Sequence, residues 1–272
     1  PFSLNNISLE HDGDVLEDDT GSSLTVTQIA VTGSSNSAVA SSSSYNSSGT
    51  SKTGTYGTLR IGADGSYDYV ADQSVTDNLD AGDIVTDSFT YTVSNGSGSD
   101  TATLIITVVG VNDTPVADNE TGSVDASDTL TVTDGTSDLL YGDTDVDASA
   151  SLNITSIVAT TAGGSATAVT QLTSYNSGYT SVTGSYGTLR IGADGTYQYI
   201  AGSSGGTDVF TYTLSDGAAT DTGTLTITVT NSAPVAADNT GTINENATLS
   251  VSDGASANDV TPVSRGTAED VS

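Results

Sequence analysis

Apolar residues in this chain fall at every second position within short runs, and Gly, Asp, Asn and Ser separate the runs. In residues 56–61, Leu59 and Ile61 share one side of an extended chain while Thr58 and Arg60 share the other. A turn from Gly62 to Gly65 follows, then Tyr67, Asp68, Tyr69 and Val70. Alternation of this kind predicts half-buried strands. Asp64-Gly65 and Asp194-Gly195 supply the positive φ angles of tight hairpins, so YGTLRIGADGSYDY reads as two antiparallel strands with Leu59 and Ile61 facing inward. Phe89 and Tyr91 alternate in the same way, and TATLIITVV from Thr101 predicts the closing strand of a module built from two packed sheets.

The pattern then returns. TYGTLRIGADGSYDYVAD at 55–72 reappears as SYGTLRIGADGTYQYIAG at 185–202, and FTYTVSNGSGSDTATLIITV from Phe89 as FTYTLSDGAATDTGTLTITV from Phe210. The first spacing is nine residues longer than the second, which places an insertion in the loop 72–87 of the first copy. A third block, TPVADNETGSVDASDTLTVTDG from Thr114, is partly repeated from Ala233. A period of about 120 residues belongs to a sandwich domain, far above the 20–50 residues of solenoids. The chain is therefore expected to comprise repeat 1 over 1–111, with its leading strand largely missing, and repeat 2 over 112–230. Residues 231–272 are expected to be the leading segment of a partial third repeat, a candidate donor strand for another subunit.

Composition supports small β modules. Only 35% of the residues are apolar, Trp, Met and Cys are absent, and Ser, Thr, Gly, Asp and Val dominate. An all-β fold is expected. Thirty-four acidic residues against four Lys and Arg give a formal charge of -30, so nucleic acid and anionic membrane surfaces are excluded as partners and cations are favoured. No apolar run reaches the roughly 18 residues of a membrane helix. Pro1 opens on neither a basic nor a hydrophobic stretch, so any targeting segment is expected to be removed or to lie outside the chain. The absence of Cys excludes a disulfide framework and a thiol nucleophile, and the sole histidine, His11, lies outside the repeated blocks. No catalytic residues are expected.

The acids themselves carry the candidate chemistry. Asp143, Asp145 and Asp147 place carboxylates on alternate residues, and in a loop they can converge on one hard cation, calcium (Ca2+) above all. No Glu follows at the twelfth position, so this is not an EF-hand. The counterpart in the first copy is acidic but differently spaced: Asp12, Asp14, Glu17, Asp18 and Asp19. Arg60 and Arg190 occupy equivalent outward positions, where a cross-strand pair with Asp is expected.

The blocks YGTLRIGADGSYDY, DSFTYTVSNGSGSDTATLIITV and VNDTPVADNETGSV resemble VCBS-type and bacterial cadherin-like repeats, found in tandem in very large secreted adhesins and biofilm proteins of Gram-negative bacteria. The resemblance covers most of residues 12–254. It implies Greek-key, immunoglobulin-like sandwiches, calcium at the module junctions, a secreted or cell-surface location, roles in extension and attachment, and no catalysis. On the same resemblance, Asn112-Asp113 before Pro115 is similar to the cadherin linker, in which the Asp binds calcium; at the second junction Ser232 stands where Asp113 would align. The function expected is thus a calcium-stabilised stalk or filament subunit, associating head-to-tail or with neighbouring repeats. The alternative is a module that binds glycans or a host surface through loops such as 72–87.

Overall fold

The computed structural model describes residues 13–133, 135, 137–231 and 240–250. The chain up to Asn231 makes one compact unit, and the segment from Ser232 makes another. Among the described residues there is no helix. The first unit opens with β1 (Thr25–Val31), β2 (Ser37–Ala38), β3 (Thr50–Thr53), β4 (Thr58–Ile61), β5 (Tyr67–Val70), β6 (Ile84–Ser94) and β7 (Ser99–Val109). It continues with β8 (Asn119–Asp125), β9 (Thr129–Val132), β10 (Asn153–Ala159), β11 (Thr167–Ala168) and β12 (Thr180–Thr183). The last four strands are β13 (Gly187–Ile191), β14 (Tyr197–Ala201), β15 (Gly206–Ser215) and β16 (Thr220–Thr230).

These strands form two sandwiches. The first combines a sheet of order β2-β1-β6-β7 with a sheet of order β3-β4-β5, and the second combines β11-β10-β15-β16-β8 with β12-β13-β14-β9. Each has its own apolar core, one around Ile29, Leu59, Ile61 and Phe89 and the other around Ile154, Leu189, Phe210, Tyr212 and Leu225. The cores follow from the predicted alternation: Leu59 and Ile61 are fully buried, and so are their counterparts Leu189 and Ile191. Gly65 and Gly195 turn the predicted hairpins at φ of +89° and +81°. Arg60 lies opposite Asp68 across β4 and β5 and grips both of its carboxylate oxygens, at 3.1 and 2.9 Å. In the second sandwich Gln198 replaces that Asp, and Arg190 instead reaches its side-chain oxygen at 3.3 Å and stacks 4.9 Å from the centre of the Tyr179 ring.

One buried carboxylate anchors each sandwich. Asp208 is fully buried and accepts hydrogen bonds from Tyr199 Oη (2.6 Å), Ser185 N (2.7 Å) and Tyr186 N (3.0 Å). Asp87 does the same for Tyr69 Oη, Thr55 N, Tyr56 N and Gly57 N. Burial alone would raise the Asp87 carboxyl, but the Tyr69 hydroxyl and three backbone N–H groups outweigh it and hold the group below its ordinary value. Its stabilising effect is therefore present above about pH 4 and is lost as the pH falls through the depressed value. Asp208→Ala strands three donors in the interior, and urea denaturation should show a loss of roughly 3 kcal/mol or more.

The sandwiches differ at one place. β8 runs parallel to β16, β9 runs antiparallel to β14, and residues 126–128 carry the chain from one sheet to the other. Ala126 N and Ser127 N donate to Thr230 O (2.7 Å) and Gly202 O (2.8 Å), pinning that crossing. Among the described residues the first sandwich has no such pair of strands, so β7 and β5 end their sheets.

Candidate metal centre

Two acidic clusters lie in the second sandwich. Asp118, Glu120 and Asp143 each offer a carboxylate oxygen, and these oxygens lie within 4.8 Å of one another; Asp145, Asp147 and Asp216 form a second group within the same span. The first cluster exists because β8 pairs with β16 and sets its leading residues beside the bend at Gly142, whose φ is +97°. Thr144 bonds Val116 through both backbone groups, at 2.7 and 3.0 Å, and holds the bend against the linker. Asp118 N donates to Asp143 Oδ1 at 2.9 Å. Tyr212 Oη lies 3.2 Å from the same oxygen, 3.0 Å from Asp118 O and 3.4 Å from Glu120 Oε1, so its single proton serves only one of three acceptors at a time.

The second cluster ties the linker to the turn between β15 and β16. Asp113 N donates to Asp147 Oδ2 (2.9 Å), Asp147 N to Asp145 Oδ1 (2.9 Å), and Asn112 Nδ2 to Asp216 Oδ2 (2.9 Å) and to Asp113 O. Ala218 N and Ala219 N donate to the other oxygen of Asp216, both at 2.7 Å. Burial opposes ionisation of Asp216, yet these donors and Asn112 hold it below its ordinary value.

Five buried side-chain oxygens among the described residues have no hydrogen-bond donor. Four of them belong to the clusters: Glu120 Oε2, Asp143 Oδ2, Asp145 Oδ2 and Asp147 Oδ1. A buried carboxylate oxygen without a donor is costly unless a proton or a cation meets it. In the first cluster, burial, reinforced by Asp118 and Asp143, pushes the Glu120 carboxyl up to about 9. Burial, with Asp118 adding to it, brings Asp143 to about 6 against the opposing pull of the Asp118 N–H and Tyr212. Burial, Glu120 and Asp143 raise Tyr212 strongly.

These residues fit a hard divalent ion. All of the orphaned atoms are carboxylate oxygens, and the span of each cluster matches the roughly 5 Å that separates opposite oxygens around calcium. Asn112 belongs to the same arrangement, since a half-turn of its amide puts Oδ1, a neutral oxygen ligand, where Nδ2 stands.

Asp143, Asp145 and Asp147 do not converge on one point: Gly142 and the Thr144 bridge bend the segment, so Asp143 faces β8 while Asp145 and Asp147 face Asp216. Asp113 reaches the second cluster through its backbone N–H. In the first sandwich, Asp14 Oδ1 accepts Leu16 N at 2.8 Å as Asp138 Oδ1 accepts Leu140 N at 3.0 Å, while Val15 N and Leu139 N bond Gly65 O and Gly195 O. Asp14 is therefore a turn residue, and Asp19 is the counterpart of Asp143. Asp19 Oδ2 is the fifth orphaned oxygen; Asp18 is exposed, and Asp12 and Ser232 lie outside the described residues.

Three members of the clusters, Asp118, Glu120 and Asp216, escaped the sequence reading. Alternate acids at Asp118 and Glu120 repeat the spacing of the Asp143 ladder and are the signal that identifies them. The inserted loop 72–87 is engaged as well. Asp80 accepts Ser149 N (2.9 Å) and Ser149 Oγ (2.5 Å), and Asn78 O accepts Ala148 N (3.3 Å), next to Asp147.

The bacterial cadherin-like domain family matches residues 112–231. A search of the curated proteins finds no match to the sequence. Among solved structures, the chain is similar to mouse PcdhgC3 EC1-3, with 13% identity and a TM-score of 0.30 over 63% of this chain and 51% of that one. It is similar to the endo-fucoidan hydrolase MfFcnA4 from glycoside hydrolase family 107, with 21% identity and a TM-score of 0.27 over 68% of this chain and 23% of that one. The zebrafish RET cadherin-like domains 1 to 4 align with 10% identity and a TM-score of 0.24 over 76% of this chain and 41% of that one. The chain thus spans less than two thirds of these proteins. Domains of the matched family are typically extracellular and non-enzymatic. The match to the bacterial cadherin-like domain family, residues 112–231, covers the second sandwich with both acidic clusters, and the first sandwich repeats its strand order apart from β8 and β9.

Proposed function

We propose that this chain is an extracellular structural and adhesive repeat protein, secreted or displayed at a bacterial surface, whose second repeat holds calcium and thereby stiffens its junction with the first. Repeat 1 runs over 1–111, repeat 2 over 112–230, and 231–272 is the leading segment of a further repeat. The observation that carries the reading is the set of four donorless buried oxygens on Glu120, Asp143, Asp145 and Asp147. Asp118, Glu120 and Asp143 hold one ion; Asp145, Asp147, Asp216 and Asn112 hold another. A bound divalent ion supplies positive charge that is scarce in a chain with four Lys and Arg and a formal charge of -30.

The mechanical consequence follows from what the ligands touch. Asn112 and Asp113, the start of the linker, are bonded to Asp216 and Asp147, so fixing those carboxylates fixes the linker. On the other side, the Asp80–Ser149 contact braces the loop of the first sandwich against the residues after Asp147. Without the ion, neighbouring carboxylates repel and the linker loosens.

Calorimetric titration of the full chain with calcium tests the reading. Two ions per chain are expected; Asp216→Asn removes one of them and Glu120→Gln the other. Absence of any calcium-dependent heat, together with metal-free protein on elemental analysis, sinks it.

A further inference from the structure

We infer that the turn between β6 and β7 is a self-modifying site, at which Asn95 loses its side-chain amide to attack by the neighbouring Gly96 nitrogen and becomes aspartate. The inference is independent of the metal centres and rests on the atoms around one peptide bond.

Asn95-Gly96 is the one Asn-Gly pair in the chain. It lies at the tip of the β6–β7 hairpin, where residues 95–98 are all exposed, so water has free access to the amide. Gly96 has φ of +81°, and a Cβ built there would meet nothing within 4 Å. Glycine is thus required by the turn, and no side chain shields its nitrogen.

The reacting groups are held in place. The electrophile is Asn95 Cγ, whose oxygen Oδ1 accepts hydrogen bonds from Ser97 N at 3.0 Å and Gly98 N at 3.1 Å. The nucleophile is Gly96 N, which donates to Ser94 Oγ at 3.2 Å, while Ser94 Oγ donates to Gly98 O at 2.9 Å. Attack forms a bond between Gly96 N and Asn95 Cγ and places negative charge on Oδ1, between the two N–H groups. The bond from Cγ to Nδ2 then breaks. The proton of Gly96 N passes by way of Ser94 Oγ and water to the departing Nδ2, which leaves as ammonia. The resulting five-membered imide takes up water at Cγ, releases Gly96 N and leaves an aspartate. Water is the sole co-reactant.

The second sandwich carries the product of this reaction in the same frame. Asp216-Gly217 stands at the position of Asn95-Gly96. Gly217 N donates to Ser215 Oγ at 3.0 Å, and Ser215 Oγ donates to Ala219 O at 3.0 Å. Ala218 N and Ala219 N both lie 2.7 Å from Asp216 Oδ1, closer than their counterparts lie to the neutral amide oxygen of Asn95. Such shortening is that of N–H groups facing a charged oxygen. The same pair of donors therefore stabilises an anion at Oδ1, which is what the tetrahedral intermediate at Asn95 demands. Aspartate at position 95 keeps both bonds, as Asp216 does. In isoaspartate the chain would run through Cγ and take that oxygen away from its donors, so the turn favours aspartate. The first repeat thereby acquires with age the residue that the second has from synthesis.

Peptide mapping of the full chain, kept folded in mildly alkaline buffer, should show Asn95 converting to aspartate with release of ammonia, and faster than in the same chain unfolded by urea. Ser94→Ala should slow the conversion at least about tenfold in the folded chain and leave it unchanged in urea, where the turn is lost. Ser94→Thr, which keeps the hydroxyl, should restore the rate. Asn95→Asp supplies the product directly and should leave the melting temperature of the first sandwich undiminished. Conversion slower in the folded chain than in urea overturns the proposal, because the turn would then protect the amide. Equal rates for the parent and Ser94→Ala in the folded state do the same, as does isoaspartate as the main product of the folded chain or a lower melting temperature for Asn95→Asp.

Discussion

Removing calcium should lower the melting temperature of the second sandwich by roughly 10–20 °C and leave that of the first nearly unchanged. The size follows from linkage: an ion at about a hundred times its dissociation constant stabilises a fold by about 2.7 kcal/mol, so two ions contribute about 5 kcal/mol. In a sandwich of about 110 residues each kcal/mol moves the midpoint by about 4 °C, or less where the sandwiches unfold together. The asymmetry follows from placement. All six acids of the two clusters lie between Asp118 and Asp216, within the second sandwich, whereas the first contributes Asp19 alone among the orphaned acids. Differential scanning calorimetry of the full chain with and without chelator should therefore show one transition that moves and one that stays. Equal shifts of both would mean a general effect of screening the -30 charge, and no shift at all would leave the buried carboxylates without their proposed partner.

Interactions between residues close in sequence are visible in the chain, and those made by the fold are not. The β4–β5 hairpin was legible because its cause is local: Asp64-Gly65 fixes the turn, and the alternation around Leu59 and Ile61 fixes the faces. The Arg60–Asp68 pair followed from the same register. The acidic clusters were legible only where their members are close in sequence. Asp118 and Glu120 meet Asp143 because β8 lies parallel to β16, with Thr224 beside Asn119, and alternation along β8 is the same for either strand direction. Asp216 serves two roles, with one oxygen capping its own turn and the other facing Asn112, and the SDG pattern reveals only the first. The acidic run in the first copy could be matched to the ladder only as a group, because one aspartate turn looks like another. Only the bonds of Val15 and Leu139 to Gly65 and Gly195 identify Asp19, rather than Asp14, as the partner of Asp143. The insertion 72–87 was located correctly, but its contact with Ser149 depends on how two sandwiches meet, which no local pattern encodes.

Acidification should expel calcium from the first cluster, and the pH dependence of stability should reverse sign according to whether the ion is present. Glu120 is pushed up to about 9 and Asp143 to about 6, both because burial disfavours their charged forms. In the unfolded chain a glutamate ionises near 4.3. Between about pH 6 and 9 the ion-free folded state holds about one more proton than the unfolded state, and below about 6 a second on Asp143, so its stability falls as the pH rises, by at most about 1.4 kcal/mol per unit for each proton. Calcium reverses this, because it binds the ionised carboxylates and must displace that proton, and its apparent affinity should drop on the order of a hundredfold from pH 8 to pH 6. Titrations in two buffers of different ionisation heat should report about one proton released per ion bound at this cluster at pH 7. Glu120→Gln should abolish the proton release and the fall in ion-free stability above about pH 6, while leaving calcium at Asp145, Asp147 and Asp216 intact. A melting temperature that rises with pH in chelator, over the range from 5 to 9, would show that Glu120 ionises freely in the folded chain and that no cation is needed to satisfy it.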